Sequence, residues 1–272
     1  MTNRQRTLGL VIAISGALLG ILGTLLVFTR WYDPVMVAEL AAGRPDEEVI
    51  VKWIFPALSD VGVIAGVLWA LSAFGFSTRK PWAWSLGMIA NVMALQSSFF
   101  PMIPPVTRGL PPANGIIFVP NMLFFLAMLL VVGRVDWRTT LFSLLSGMAL
   151  VLSFMNGVAG TNKMLTTDNP AFVAVQRLNW MAALGWGVFT IYLIIKPVAW
   201  VRWLGLGTGL LGVVAGLPLG VITTIEAGRF SMFLPAPLLS LALLIVLLLP
   251  LGEQVTLRMH PTGDAPSLQT AG

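Results

Sequence analysis

The chain contains no cysteine and one histidine, His260. The first absence removes disulfides, thiolate catalysis, iron–sulfur clusters and cysteine-type zinc sites. The second leaves no imidazole in the apolar part of the chain, because His260 lies in a polar C-terminal stretch, and bis-histidine haem ligation is excluded with it. Charge is sparse too: Asp, Glu, Lys and Arg make up 10% of the 272 residues, where an average soluble domain carries about 25%. Neither GxxxxGK[ST] nor GxSxG occurs, and Gly205, Gly207 and Gly209 follow no strand, so they form no dinucleotide fingerprint. No lysine lies midway along an apolar run, and no apolar run holds the paired carboxylates a metal site would need. No cofactor and no metal are expected.

What the chain has in abundance is apolar residues, at 57%. A helix needs about 20 of them to cross a bilayer. Eight stretches qualify: Leu8–Thr29, Val51–Gly75, Trp82–Phe100, Ile116–Gly133, Thr140–Gly160, Leu178–Ile195, Trp203–Thr224 and Ser231–Leu251. They are apolar all round and lack the alternation of barrel strands. The fold class expected is an all-α integral membrane protein of eight transmembrane helices. The first stretch is too long for a signal peptide's apolar region and has no convincing cleavage site, so it reads as a retained helix.

Basic residues favour the cytoplasmic side of short loops. With the N-terminus inside, Arg4 and Arg6, Arg79 and Lys80, Arg134 and Arg138, and Lys196 and Arg202 all fall on that side, two to each short segment. Both termini are therefore expected in the cytoplasm, with the chain in the plasma membrane. The net charge of +5 reflects this topology. No basic cluster interleaved with aromatics points to nucleic acid.

Two copies of a four-helix pattern follow one another. Lys80-Pro81-Trp82-Ala83-Trp84 recurs as Lys196-Pro197-Val198-Ala199-Trp200, Phe118-Val119-Pro120 as Phe233-Leu234-Pro235, and Ser15-Gly16 as Ser146-Gly147. The expected division is residues 1–133 and 134–252, two four-helix halves, with a polar cytoplasmic tail at 253–272. Four helices per half is an even number, so the repeats would be parallel, as in some transporters. Between the helices, Asp33-Pro34 predicts a short helix on the outer surface, ended near Gly43, and Asp168-Asn169-Pro170 gives a similar start signal. Pro101, Pro104, Pro105, Pro111 and Pro112 preclude a continuous helix after the third stretch.

Asp60 is the one acid well inside an apolar stretch. Such a residue is costly in hydrocarbon and is expected to face protein or water. Asn91, Gln96, Ser98, Asn121 and Glu226 add polar groups concentrated in the outer half of the helices. Together these six predict an outward-facing polar cavity with Asp60 as its anchor and Asn91, Gln96 or Asn121 within its reach. The function this implies is non-enzymatic: transporter-like, or binding a small lipophilic ligand. Two other classes compete. One is an accessory or scaffold subunit of a larger membrane complex, or a homo-oligomer; the small-xxx-small glycines such as Gly16, Gly20, Gly62 and Gly66 read first as close helix packing and allow dimerisation as well. The other is an intramembrane enzyme acting on lipid, against which stands the lack of a second catalytic group near Asp60.

Overall fold

The protein's computed structural model describes residues 1–43, 45–166, 170–195, 198, 200–228 and 230–257. The described residues are helical throughout, joined by short turns. In chain order the helices are α1 (Asn3–Ala41), α2 (Pro45–Ser77), α3 (Ala83–Thr107), α4 (Gly115–Val132), α5 (Trp137–Thr166), α6 (Pro170–Ile195), α7 (Trp200–Ala227), α8 (Pro235–Leu248) and α9 (Pro250–Leu257). Seven are long and apolar enough to cross a membrane, and an eighth crossing results if α8 and α9 count as one bent span. Leu26, Phe74, Leu123, Leu184, Leu210 and Ile245 are exposed. In water such a surface would be untenable; against acyl chains it is the ordinary exterior of a membrane bundle. The chain is a polytopic helical membrane protein.

Helix α1 starts on a capping box, in which Thr2 and Gln5 bond each other's backbone N–H groups at 3.3 and 2.7 Å. It continues through a π turn at Leu19–Gly23 for 39 residues. At about 1.5 Å per residue this is nearly twice the hydrocarbon thickness of about 30 Å, so its far end projects. The separate surface helix expected from Asp33-Pro34 does not form: Pro34 lies inside α1. Val35 and Met36 are buried against Val51, Ile54, Phe55 and Leu58 of α2, and that burial outweighs the hydrogen bond the proline removes. Gly43, at a φ of 66°, ends the helix as its sequence position suggested.

The proline-rich segment is not helical throughout, as expected, though the helix runs past its first prolines. Helix α3 tightens into a 3-10 turn at Phe100–Met102 and resumes for one turn at Ile103–Thr107 before Gly109, with φ of 71°, ends it. The eighth apolar stretch is not one straight helix. Leu249 precedes Pro250 and is extended, with ψ at 161°, as proline demands of its neighbour. The chain turns by 89° there, leaving α8 only 14 residues long. Asp168, Asn169, Lys196, Pro197 and His260 lie outside the described residues.

Successive helices pack antiparallel. On α1 and α2, Gly20 faces Gly66 so closely that a Cβ on Gly20 would come within 2.5 Å of the Gly66 Cα. The two faces can meet only because both residues are glycine. Helix α8 returns to α5, and the last turn of α4 to α1, closing two four-helix groups, α1–α4 and α5–α8. They join along a seam where Val51, Ile54, Leu58 and Phe100 of the first meet Val151, Met155 and Val158 of α5.

Candidate functional site

Above that seam, at the end of the molecule away from Asn3, a cleft of about 970 Å³ opens between the two groups. Its floor is Val51, Phe100, Ile103 and Met155. Helix α5 contributes Asn156, Ala159, Asn162 and Lys163, whose spacing of three, three and one puts them on one face. The α7–α8 connection adds Met232 and Phe233, and the Asn156 amide donates to the Phe233 carbonyl at 2.9 Å. On α6, behind this face, the Gln176 amide donates to the Gly157 carbonyl at 3.2 Å and the Trp180 indole to the Thr161 hydroxyl at 3.1 Å, which ties α5 in place.

The opposite wall carries an ion pair. The Arg108 Nε and Nη2 groups donate to one carboxylate oxygen of Glu39 at 2.9 and 2.7 Å. Glu39 is 1% exposed and the Arg108 side chain 13%. Continuation of α1 past Pro34 places Glu39, three residues beyond the buried Met36, on the packed face. The turn closing α3 places Arg108, followed at once by Gly109 with φ of 71°. The carboxylate's negative charge is matched inside the wall, so the cleft presents a fixed dipole beside the Lys163 side chain, amides and apolar surface. Such a set binds and orients. Among the described residues no three acidic or histidine side chains gather as a metal site.

The six residues expected to form a cavity are not gathered in this cleft. Asn91 and Asn121 do meet: the Asn91 amide donates to the Asn121 carbonyl at 3.1 Å, and the Asn121 amide to the Ile117 carbonyl at 2.8 Å, inside the first group. Ser98 donates to the Ala94 carbonyl at 2.7 Å and lines a much smaller pocket with Thr24, Ser59 and Ser97. The Gln96 amide is buried without a protein partner. Glu226 is exposed near the end of α7. The expectation that Asp60 faces inward is corrected: its side chain is exposed, and it lines neither pocket. The packed face of α2 carries Gly62 and Gly66, and two residues along a helix is a rotation of about 200°, which turns Asp60 away.

Glu39, Arg108, Asn162 and Lys163 were missed as site residues. A signal existed for Glu39, which shares a helical face with Val35 and Met36 once α1 is allowed to run on. None existed for Arg108, 69 residues away. No family model, curated protein or solved structure matches this chain.

Proposed function

We propose that the protein is a plasma-membrane receptor site for a small amphiphile, which enters the cleft between its two four-helix halves from outside. The observation carrying this reading is the combination at the cleft: a buried, charge-matched Glu39–Arg108 wall facing amides across apolar floor residues, in a volume of about 970 Å³. Ligand sites are typically 300–1,000 Å³, largely apolar, with a few placed polar groups (rough bounds). An acyl or ring portion would lie on Phe100, Ile103 and Met155, and a polar head against Asn162 and the ion pair. Towards the other end the interior is filled by Trp69, Phe76, Met128, Leu129, Phe189, Leu193 and Leu247. Binding from one side therefore needs no rearrangement, whereas transport would require these side chains to separate.

Two finer structural readings belong to the same proposal. Both termini are cytoplasmic, supported by the paired basic residues of the short connections, so the cleft faces out. The halves are parallel repeats, supported by cross-helix contacts that recur at a near-constant offset. The Trp84 indole donates to the Met128 carbonyl at 2.9 Å, and the Arg202 guanidinium to the Leu247 carbonyl at 3.1 Å. Gly87 packs on Met128, and Gly205 on Leu247. Asn91 reaches Asn121, and Gly209 lies against Ser240. The Ser15-Gly16 match does not extend to packing: Gly16 abuts Trp69, while a Cβ on Gly147 would meet nothing within 4 Å.

The absence of native cysteine makes a clean test available. Ile103→Cys, expressed in intact cells, should react with a membrane-impermeant maleimide. Decanoate, decylammonium and decyl maltoside, added in turn, should slow that reaction to different extents according to head group. An unreactive Ile103→Cys overturns the outward cleft. Reaction that none of the three amphiphiles slows overturns the ligand class.

A further inference from the structure

We propose that copies of this chain associate in the membrane through α2 of one and α6 of the next, with Asp60 opposite Arg177. The exposed face of α2 is Ala57, Asp60, Ile64, Val67, Leu71 and Phe74. That of α6 is Ala174, Arg177, Met181, Leu184 and Ile191, with the half-buried Val188 between the last two. Both rows step by three and four residues in the same alternation. A repeat averaging 3.5 residues makes a straight seam between two helices crossing at about 20°. The rows correspond position for position, and each holds one charge, of opposite sign.

Depth matches as well. Asp60 precedes the end of α2 at Ser77 by 17 residues, and Arg177 precedes the end of α6 at Ile195 by 18. At about 1.5 Å per residue both lie some 26 Å from those ends, Asp60 inside its apolar stretch and Arg177 at the margin of its own, next to Leu178. Helices α2 and α6 run in the same direction, since every helix between them reverses the chain. In a parallel pair, equal positions face each other at equal height. Neither charge is engaged within the chain in a way that accounts for its place. Asp60 makes no hydrogen bond or ion pair with a described residue, and Arg177 reaches the Val173 carbonyl of its own helix at 3.4 Å. A carboxylate turned toward acyl chains is strongly unfavourable. Meeting a guanidinium in a medium of low dielectric, it is strongly favoured. Packing α2 on a second α2 would oppose Asp60 to Asp60, and α6 on α6 would oppose Arg177 to Arg177, so complementarity selects the mixed pair. The contact joins two different surfaces and therefore repeats from copy to copy.

The test uses the full chain in membranes. Val67→Cys and Leu184→Cys chains carrying different tags are co-expressed and oxidised. A disulfide between the two tags is expected. Links of Val67→Cys to itself or of Leu184→Cys to itself in its place, or no links, overturn the pairing. On the same background Asp60→Arg, or Arg177→Asp, should lower the mixed link about tenfold, the equivalent of about 1.4 kcal/mol. Combining both reversals in every copy should restore it. Single reversals without effect, or a double reversal that fails to recover, overturn the ion pair. Because both charges are exposed in one copy, all variants are expected to fold and insert normally, and the cysteine experiment with native charges stands if they do not.

Discussion

The two four-helix groups, α1–α4 and α5–α8, treat their buried polar groups differently. In α5–α8 they bridge helices: Ser146 and Thr190 hydroxyls meet at 2.8 Å, the Trp186 indole donates to Ser240 at 3.2 Å, and Asn156 reaches the Phe233 carbonyl. In α1–α4 some bridge too, Trp84 to the Met128 carbonyl and Asn91 to the Asn121 carbonyl, but more atoms are left without a protein partner. Among the described residues these are the Thr24 hydroxyl, the Trp69 indole, both ends of the Gln96 amide and the oxygens of Asn91 and Asn121, against the Thr140 and Ser143 hydroxyls and the Asn179 amide nitrogen in α5–α8. Each such unpaired group costs free energy in a dry interior. The first group thus leaves the larger share of these buried polar atoms unpaired. Its strong polar clamp, Glu39–Arg108, sits at the rim of the cleft.

If that comparison is right, removing the clamp should hurt more than removing any single bridge in the second half. Arg108→Met leaves Glu39 buried without its guanidinium, a change that typically costs about 3–5 kcal/mol. Asn156→Leu removes one neutral bridge, worth about 0.6 kcal/mol on average in membrane bundles. Unfolding in mixed micelles should rank them in that order, and Glu39→Met with Arg108→Met together should recover most of the loss. Equal losses from the two single changes would erase the distinction between the halves.

How much of this was legible in the sequence follows from the same physics. Seven of the eight apolar stretches became long helices because hydrocarbon permits a backbone no other self-satisfied form. Their lengths were not legible. Val35 and Met36 carry α1 through Pro34, while Leu249 yields to Pro250, and the difference lies in tertiary burial. The candidate site was legible only as a polar bias toward one end of the bundle. Which way Asp60 points was hard to read because in a membrane protein the interior and the lipid-facing exterior are both apolar. The glycines at 62 and 66 were the one local mark of the packed face. The Glu39–Arg108 contact joins residues 69 apart and leaves no local pattern at all.

A smaller effect sharpens the comparison at a matched pair. Trp69 and Trp186 are both fully buried, on α2 and α6. The Trp186 indole N–H donates to Ser240, and that of Trp69 has no protein partner. Replacing either by Phe removes the same ring volume, so the packing losses should be similar. Trp186→Phe additionally gives up a hydrogen bond and should be the more destabilising by about 1 kcal/mol. Equal losses would mean that the Trp69 indole is as well satisfied as its counterpart.

The smallest difference lies at the helix starts, and pH should expose it. Helix α1 begins on the neutral Thr2–Gln5 box, α5 on the carboxylate of Asp136, which accepts from the Arg138 N–H at 2.8 Å, the Thr139 N–H at 3.3 Å and the Thr139 hydroxyl. Partial burial pushes the Asp136 carboxyl up, but the Thr139 hydroxyl, the two N–H groups and the Arg138 charge outweigh it, and the group is held below its ordinary value. A depressed folded value means that ionisation stabilises the fold above the unfolded value, near 3.9 on average for Asp. That contribution is lost as pH falls through the folded value. Asp136 is exposed, so the effect is modest. At neutral pH Asp136→Ala should cost about 1 kcal/mol or less, the ordinary worth of an N-cap. Asp136→Asn should cost little there, since an amide oxygen still caps, and should remove part of the acid-side decline in unfolding temperature below about pH 4. Thr2→Ala should shift the curve by the same amount at every pH. A Thr2→Ala curve that changes with acidity, or an Asp136→Asn curve parallel to that of the parent, would show that the two starts do not differ in this way.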